Sequence, residues 1–196
     1  DDFGKIAGVK DGAESPFVYG YLIASNSKMS INTDVTFKIL TESNRVEMIK
    51  GAKKIIVDGK KAIAASNMPA ILANTVRGKD YPDTVTEEIK KGTGIEQIIR
   101  YRLNSSGELA AIDTTANGKG GNGDSLSLEY ARLSGNTQRR YYGGVMGDTS
   151  FDFILEDDLI IFRIPTKENK NNEAQYSTVG KSYFLNSYYY DVEAYD

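Results

Sequence analysis

Cysteine, histidine and tryptophan are absent from all 196 residues. Without cysteine there is no disulfide framework, no thiol nucleophile and no thiolate zinc site. Without histidine, the usual general base near neutral pH and the commonest transition-metal ligand are missing. Only hard oxygen donors remain, so stoichiometric zinc, copper or nickel is not expected. Tryptophan, the largest stacking ring, is unavailable for sugars or bases. No apolar run approaches the ~20 residues of a membrane-spanning helix, so direct membrane insertion is not expected. The start, Asp1-Asp2-Phe3-Gly4-Lys5, lacks the charged-then-apolar layout of a signal peptide, which a processed chain would already have shed.

Charge is low and unevenly spread. The net charge is −3. Residues 151–196 hold nine acids against four bases, a net of −5, which leaves +2 for residues 1–150. No basic stripe is present, and a nucleic-acid partner is not expected. No G-x-S-x-G elbow occurs, and the glycines at Gly143-Gly144 and Gly147 lack the lysine and helix context of a phosphate loop. They read as a bend or bulge. Ser27-Lys28 and Lys181-Ser182 are adjacent serine–lysine pairs with no further support for a catalytic dyad.

What is present is strand–turn–strand text. Ile98 to Thr114 reads IIRYRLNSSGELAAIDT, a hairpin around Asn104-Ser105-Ser106-Gly107. A four-residue loop pairs Leu103 with Glu108, Tyr101 with Ala110 and Ile99 with Ile112. Ile99, Tyr101, Ala110 and Ile112 then share one face, with Arg100, Arg102 and Asp113 on the other. Val35 to Ile49 reads as a second hairpin. Pairing Leu40 with Arg45 aligns Ile39 with Val46, Phe37 with Met48 and Lys38 with Glu47. Phe151 to Ile164 reads as a third, tight at Asp157-Asp158, with Phe153 facing Phe162, Leu155 facing Ile160 and Asp152 facing Arg163. Phe17–Ala24, Lys54–Val57 and Tyr188–Tyr195 read as further strands, and Asp58-Gly59 as a turn. Thr84-Val85-Thr86-Glu87 fits a capping box opening a short helix that Gly92 stops, and Asn67-Met68-Pro69 a brief helical turn. Residues 166–174 are polar and read as a loop.

The expected fold is therefore mainly β: antiparallel hairpins forming one or two small barrels or sandwiches, with one or two short helices. Residues 116–124, rich in glycine, read as a linker or loop between an N-terminal β domain, 1–115, and a C-terminal one, 125–196, unless the two pack as one unit.

The pieces VTFKILTESNRVEMI, KKIIVDGKKA, IIRYRLNSSGELAAIDT, LIIFRIPT and YYYDVEAYD, in that order, resemble the β-rich ectodomains of bacterial surface proteins that carry S-layer-homology anchors. The resemblance covers most of residues 17–196. It implies an extracellular, wall-associated setting and carries no catalytic residues. No S-layer-homology repeat is present in this chain.

Three patterns could carry chemistry. Gly120-Gly121-Asn122-Gly123-Asp124-Ser125-Leu126 is similar to a calcium-binding glycine–aspartate repeat, but it is one residue short and occurs once. Calcium would draw on Asp124, Asp148, Asp157 and Asp158; the competing reading, a flexible loop and a solvated turn, is the expected one. With Asp152 and Glu156, the latter acids also suggest the paired carboxylates of a glycosidase, which a turn tip serves poorly. Tyr141, Tyr142, Tyr188, Tyr189 and Tyr190 could form an aromatic platform for sugars, although alternating strand residues place about half their rings in a core. Arg139-Arg140 beside them reads as strand surface.

The function expected is a non-enzymatic structural or interaction module of an exported bacterial surface protein, with no cofactor. Its partners would be cell-wall components, polysaccharide or neighbouring domains. A carbohydrate-binding module using surface tyrosines comes second and a glycan hydrolase third. A hydrolase would need a pocket in the irregular residues 62–97, near Asp80, Tyr81, Asp83, Glu87 and Glu88.

Overall fold

A computed structural model describes residues 15–26, 34–59, 63–64, 68–73, 95–114, 138–147 and 152–192. These residues make a mainly β, mostly antiparallel protein of three sheets, as the alternation predicts. The largest sheet contains β1 (Val18–Ser25), β2 (Thr36–Thr41), β3 (Val46–Val57), β4 (Ile63–Ala64), β5 (Gln97–Leu103) and β6 (Leu109–Asp113). Its order is β2-β1-β5-β6-β3-β4, and β2 also pairs with β3. That extra pairing curls five strands into a ring, β1-β2-β3-β6-β5, in which only β3–β6 is parallel. The ring is not a true barrel, and the β3–β6 register shifts between Gly51 and Ile56.

Alternation explains which side chains fill the ring. Leu22, Phe37, Ile39, Ile49, Ile55, Ile99, Leu109 and Ile112 converge on one buried cluster. Full burial of each such side chain contributes roughly 1.5–3 kcal/mol. A short helix, α1 (Met68–Ala73), adds Met68 and Leu72, one turn apart and both fully buried in that cluster. The side-chain amide of Gln97 donates to the Leu72 and Ile95 carbonyls, at 3.1 and 3.2 Å, so one orphan carbonyl of the helix end is satisfied by the strand beside it. Two strand glycines permit close approach. A Cβ on Gly20 would lie 2.6 Å from the Ile39 side chain, and one on Gly51 would lie 2.8 Å from the Phe37 ring.

The first two hairpins exist, but their registers differ from the expected ones. In the second, Leu40 pairs with Val46, Lys38 with Met48 and Phe37 with Ile49. The loop is three residues, not four: the Thr41 amide donates to the Arg45 carbonyl, and Asn44 takes φ 60°. Asparagine tolerates that left-handed conformation, and a three-residue loop closes on it. Ile49 therefore enters the core while Met48 is 66% exposed. In the hairpin at 98–114, Tyr101 pairs with Ile112 and Leu103 with Leu109. Gly107 takes φ 75°, Asn104 closes onto Glu108, and the register shifts between Arg102 and Leu103. Ile99, Tyr101 and Ile112 stay inside, but Ala110 is displaced from the pairing predicted for it, and Leu109 takes the buried place.

The third hairpin does not form. Residues 138–192 contain β7 (Gln138–Tyr142), β8 (Val145–Gly147), β9 (Asp152–Ile154), β10 (Ile161–Arg163), β11 (Ser177–Val179) and β12 (Tyr189–Asp191). Phe153 pairs with Met146 in the sheet β12-β7-β8-β9, whereas Phe162 pairs with Thr178 in the two-stranded sheet β10-β11. Gly143 and Gly144, at φ 59° and 92°, make a two-residue β7–β8 turn, and β9 folds back on β8 from there. The Leu155 amide extends that pairing by donating to the Gly144 carbonyl, so Leu155 is buried while Ile160 is exposed.

The segment 161–179 packs on the outer face of the ring. Tyr176, Ile23 and Leu40 form a second buried cluster, with Tyr21, Val46, Phe162 and Ile164 packed against it. The Asn44 side chain accepts from the Thr178 amide at 2.7 Å, and Lys38 pairs with Glu173. The expected helix at 84–92 and the linker at 116–124 lie outside the described residues.

Two core tyrosines give the fold an alkaline limit. Burial raises the Tyr101 phenol above its usual range, with help from Glu47 and Glu42, and burial and Glu96 do the same for Tyr176. The folded protein then holds phenolic protons that the unfolded chain releases near pH ~10. Stability contributed by these groups is fully present below about pH 10 and is lost as pH rises through the folded-state values. Urea midpoints measured from about pH 8 to about pH 11 should fall more steeply for the wild type than for Tyr101→Phe/Tyr176→Phe. Parallel curves would show that the two phenols titrate alike in both states.

Candidate functional site

The four-stranded sheet at the C-terminal end carries the tyrosines singled out from the sequence, and its pleat divides them. Tyr141 and Tyr190 turn to one side, where Phe184 packs against both, with ring centroids 5.6 and 4.9 Å away. Tyr183 joins this cluster, and Arg163 lies over its ring at 5.7 Å. The Tyr190 hydroxyl accepts from the Leu185 amide at 2.8 Å. These rings buttress the sheet from behind.

Tyr142 and Tyr189 alternate with them and face solvent on the other side, each 67% exposed. Tyr189 pairs with Arg140, and Arg140 precedes Tyr142 by two residues, so the two phenols are diagonal neighbours. Diagonal positions lie about 7–8 Å apart, within the span of one extended ligand. The Tyr142 row continues through Val145 to Ile154, which is also exposed. In the Tyr189 row, Gly147 stands opposite Arg140 and adds no side chain. Arg140 is held in place by a hydrogen bond from its guanidinium to the Ser187 hydroxyl at 3.1 Å. Ser187 has φ 69°, and the Asn186 side chain accepts from the Gly143 amide, so the loop before β12 is tied to the β7–β8 turn. Tyr188 is exposed in that loop, between the two sets.

The acidic residues show a different arrangement. Asp157 and Asp158 form an exposed turn. Lys181 pairs with Asp157, and that hydrogen bond holds the carboxyl below its usual range while raising the ammonium above its own. Asp124 and Asp148 lie outside the described residues, as do Asp80, Asp83, Glu87 and Glu88. Among the described residues no group of three or more acidic side chains gathers as a metal site would require. The two buried acids there are Asp58 and Asp113. Asp58 accepts from Thr114, and Asp113 accepts two bonds from the Arg100 guanidinium at 2.8 and 3.1 Å. Both are engaged in joining strands.

Sequence reasoning missed the parts of this surface that alternation alone does not supply. In the sequence, Ile154 falls within the hairpin expected at Phe151–Ile164, and Arg140 reads as strand surface. Ser187 and Asn186 had no signal beyond their turn-forming residue types. No protein-family model, curated protein or solved structure matches the chain.

Proposed function

We propose that the chain is a non-enzymatic interaction module of a bacterial cell-surface protein, working outside the cell against wall material. The observation that carries this is the solvent face of β7-β8-β9-β12, where Tyr142, Ile154 and Tyr189 stand exposed on a sheet braced from behind by Tyr141, Phe184 and Tyr190. Large apolar groups held rigidly in solvent, side by side, favour recognition over packing.

The ring bears on the choice of face. Its connectivity, with β3 closing in parallel on the last strand and a helix before β5, resembles that of a Greek-key OB-fold. Such rings take ligands on the face of their second and third strands. Here Tyr176, Phe162 and Ile164 pack against Leu40 and Val46 at that face. The ring serves as scaffold, and the C-terminal sheet is left as the contact surface.

The test is co-sedimentation of the whole chain with purified bacterial cell walls. Wild type should pellet with the walls, and Tyr142→Ala/Tyr189→Ala should remain in the supernatant. Surface truncations of this kind usually change stability by no more than about 0.5 kcal/mol, so thermal unfolding of the variant should match wild type. A wild-type chain that never pellets, or a variant that pellets equally well, overturns the reading.

A further inference from the structure

From the exposed face of β7-β8-β9-β12 we infer the class of ligand: an uncharged polysaccharide, stacked on Tyr142 and Tyr189 and hydrogen-bonded by Arg140. This rests on the interaction-module reading and goes further by naming the occupant.

Area argues against a folded protein partner. Three of the four strands are three residues long. With strands about 4.8 Å apart and about 3.3 Å per residue, the face of the described residues measures about 10 Å by 15 Å, on the order of 150 Å². A stable protein interface buries about 800 Å² on each partner. A stretch of a few sugar rings matches the smaller dimension.

Chemistry argues for sugar on that footprint. The exposed apolar groups are two diagonal phenols and Ile154 farther along the Tyr142 row, not a continuous aliphatic patch, and each phenol pairs a flat ring with a hydroxyl. A pyranose offers the complement, a C–H face for stacking with hydroxyls at its rim. Arg140 lies between the rings in the register and donates one of its five N–H groups to Ser187, which fixes its direction. The braced backbone means that little ordering is left to accompany binding.

Charge argues for a neutral polymer. Residues 151–196, which contribute two of the four strands, carry a net −5. Arg140 is the one cationic side chain placed on this face among the described residues. Uronate- or phosphate-bearing chains would approach against that field.

Affinity electrophoresis of the whole chain tests the inference. Native gels would contain hydroxyethyl cellulose, xyloglucan, galactomannan or soluble starch in one set, and polygalacturonate or hyaluronate in the other. At least one neutral polymer should retard wild type, with little dependence on salt. Tyr189→Ala and Tyr142→Ala should each weaken that retardation on the order of tenfold or more, while Tyr189→Phe, which keeps the ring, should retain most of it. Arg140→Gln should weaken it with no change in unfolding temperature. Retardation by the anionic set alone, abolished by salt, overturns the inference. So does equal migration in all neutral gels, or retardation that both alanine variants keep. If the chain still pellets with cell walls in a tyrosine-dependent way, such a failure rejects the neutral glycan alone. If it does not pellet, the interaction-module reading fails with it.

Discussion

Replacing Phe37 by alanine should remove about 3–5 kcal/mol of stability, the usual cost of deleting a buried aromatic ring. Phe37 is fully buried in the ring's core, on the strand that pairs with both β1 and β3. Its ring lies where a Cβ on Gly51 would sit, 2.8 Å away. That arrangement yields a sharper expectation than the cavity alone. Gly51→Ala in the wild type should destabilise by crowding the ring, whereas in the Phe37→Ala background the added methyl enters the vacated space. The double variant should therefore be more stable than the sum of the two single losses predicts. Urea unfolding followed by circular dichroism measures all four proteins. Strict additivity would show that Phe37 does not explain the glycine.

Asp58→Ala should cost about 3 kcal/mol or more, by a different route. Asp58 and Thr114 are both buried. The Asp58 carboxylate accepts from the Thr114 amide at 2.6 Å and lies 2.8–2.9 Å from the Thr114 hydroxyl. The Asp58 amide in turn donates to the Ile112 carbonyl. These bonds fasten the end of β3 to the end of β6, beside the one parallel and irregular pairing of the ring. Alanine would orphan two buried donors, each worth about 1–3 kcal/mol, and would place a Cβ-bearing residue without a compensating polar side chain at φ 49°. Asp58→Asn tolerates that conformation and keeps an acceptor, so it should lose clearly less. If Asn and Ala lose the same amount, the carboxylate is not the fastener. Thr114→Val measured alone and with Asp58→Ala should be non-additive, because both changes break the same hydroxyl–carboxylate contact.

Residue type alone made several features legible. Alternation of apolar and charged residues marks β1, β2, β5, β6 and the two ends of β3, and it sends Ile99, Tyr101 and Ile112 inward; Arg100 and Asp113 share the opposite face, where Asp113 is buried against the guanidinium instead of exposed. Asp58-Gly59 is a turn because both residues accept positive φ, 49° and 67°. Met68-Pro69 opens a helical turn where expected. Register was harder to read. It depends on how many residues each loop spends, and that count turns on which residue adopts the left-handed conformation, Asn44 or Gly107. A difference of one residue there moves Ile49 into the core and Met48 out of it.

By itself, then, the sequence determined the strand-rich class, the turns and the absence of thiol and imidazole chemistry, because these follow from residue type and short-range period. Only the tertiary structure decided which strands are neighbours. Phe151–Ile164 alternates well enough for a hairpin, yet β9 pairs back onto β8 just upstream, and β10 finds a longer-range partner in β11. The same holds for the ring's closure by β3 and β6 and for the capping of its outer face by Tyr176. It also holds for the tyrosines, which the pleat sorted into a buttress, Tyr141 and Tyr190, and an exposed pair, Tyr142 and Tyr189. Period two says that successive side chains part, but only packing against Phe184 decides which side meets water.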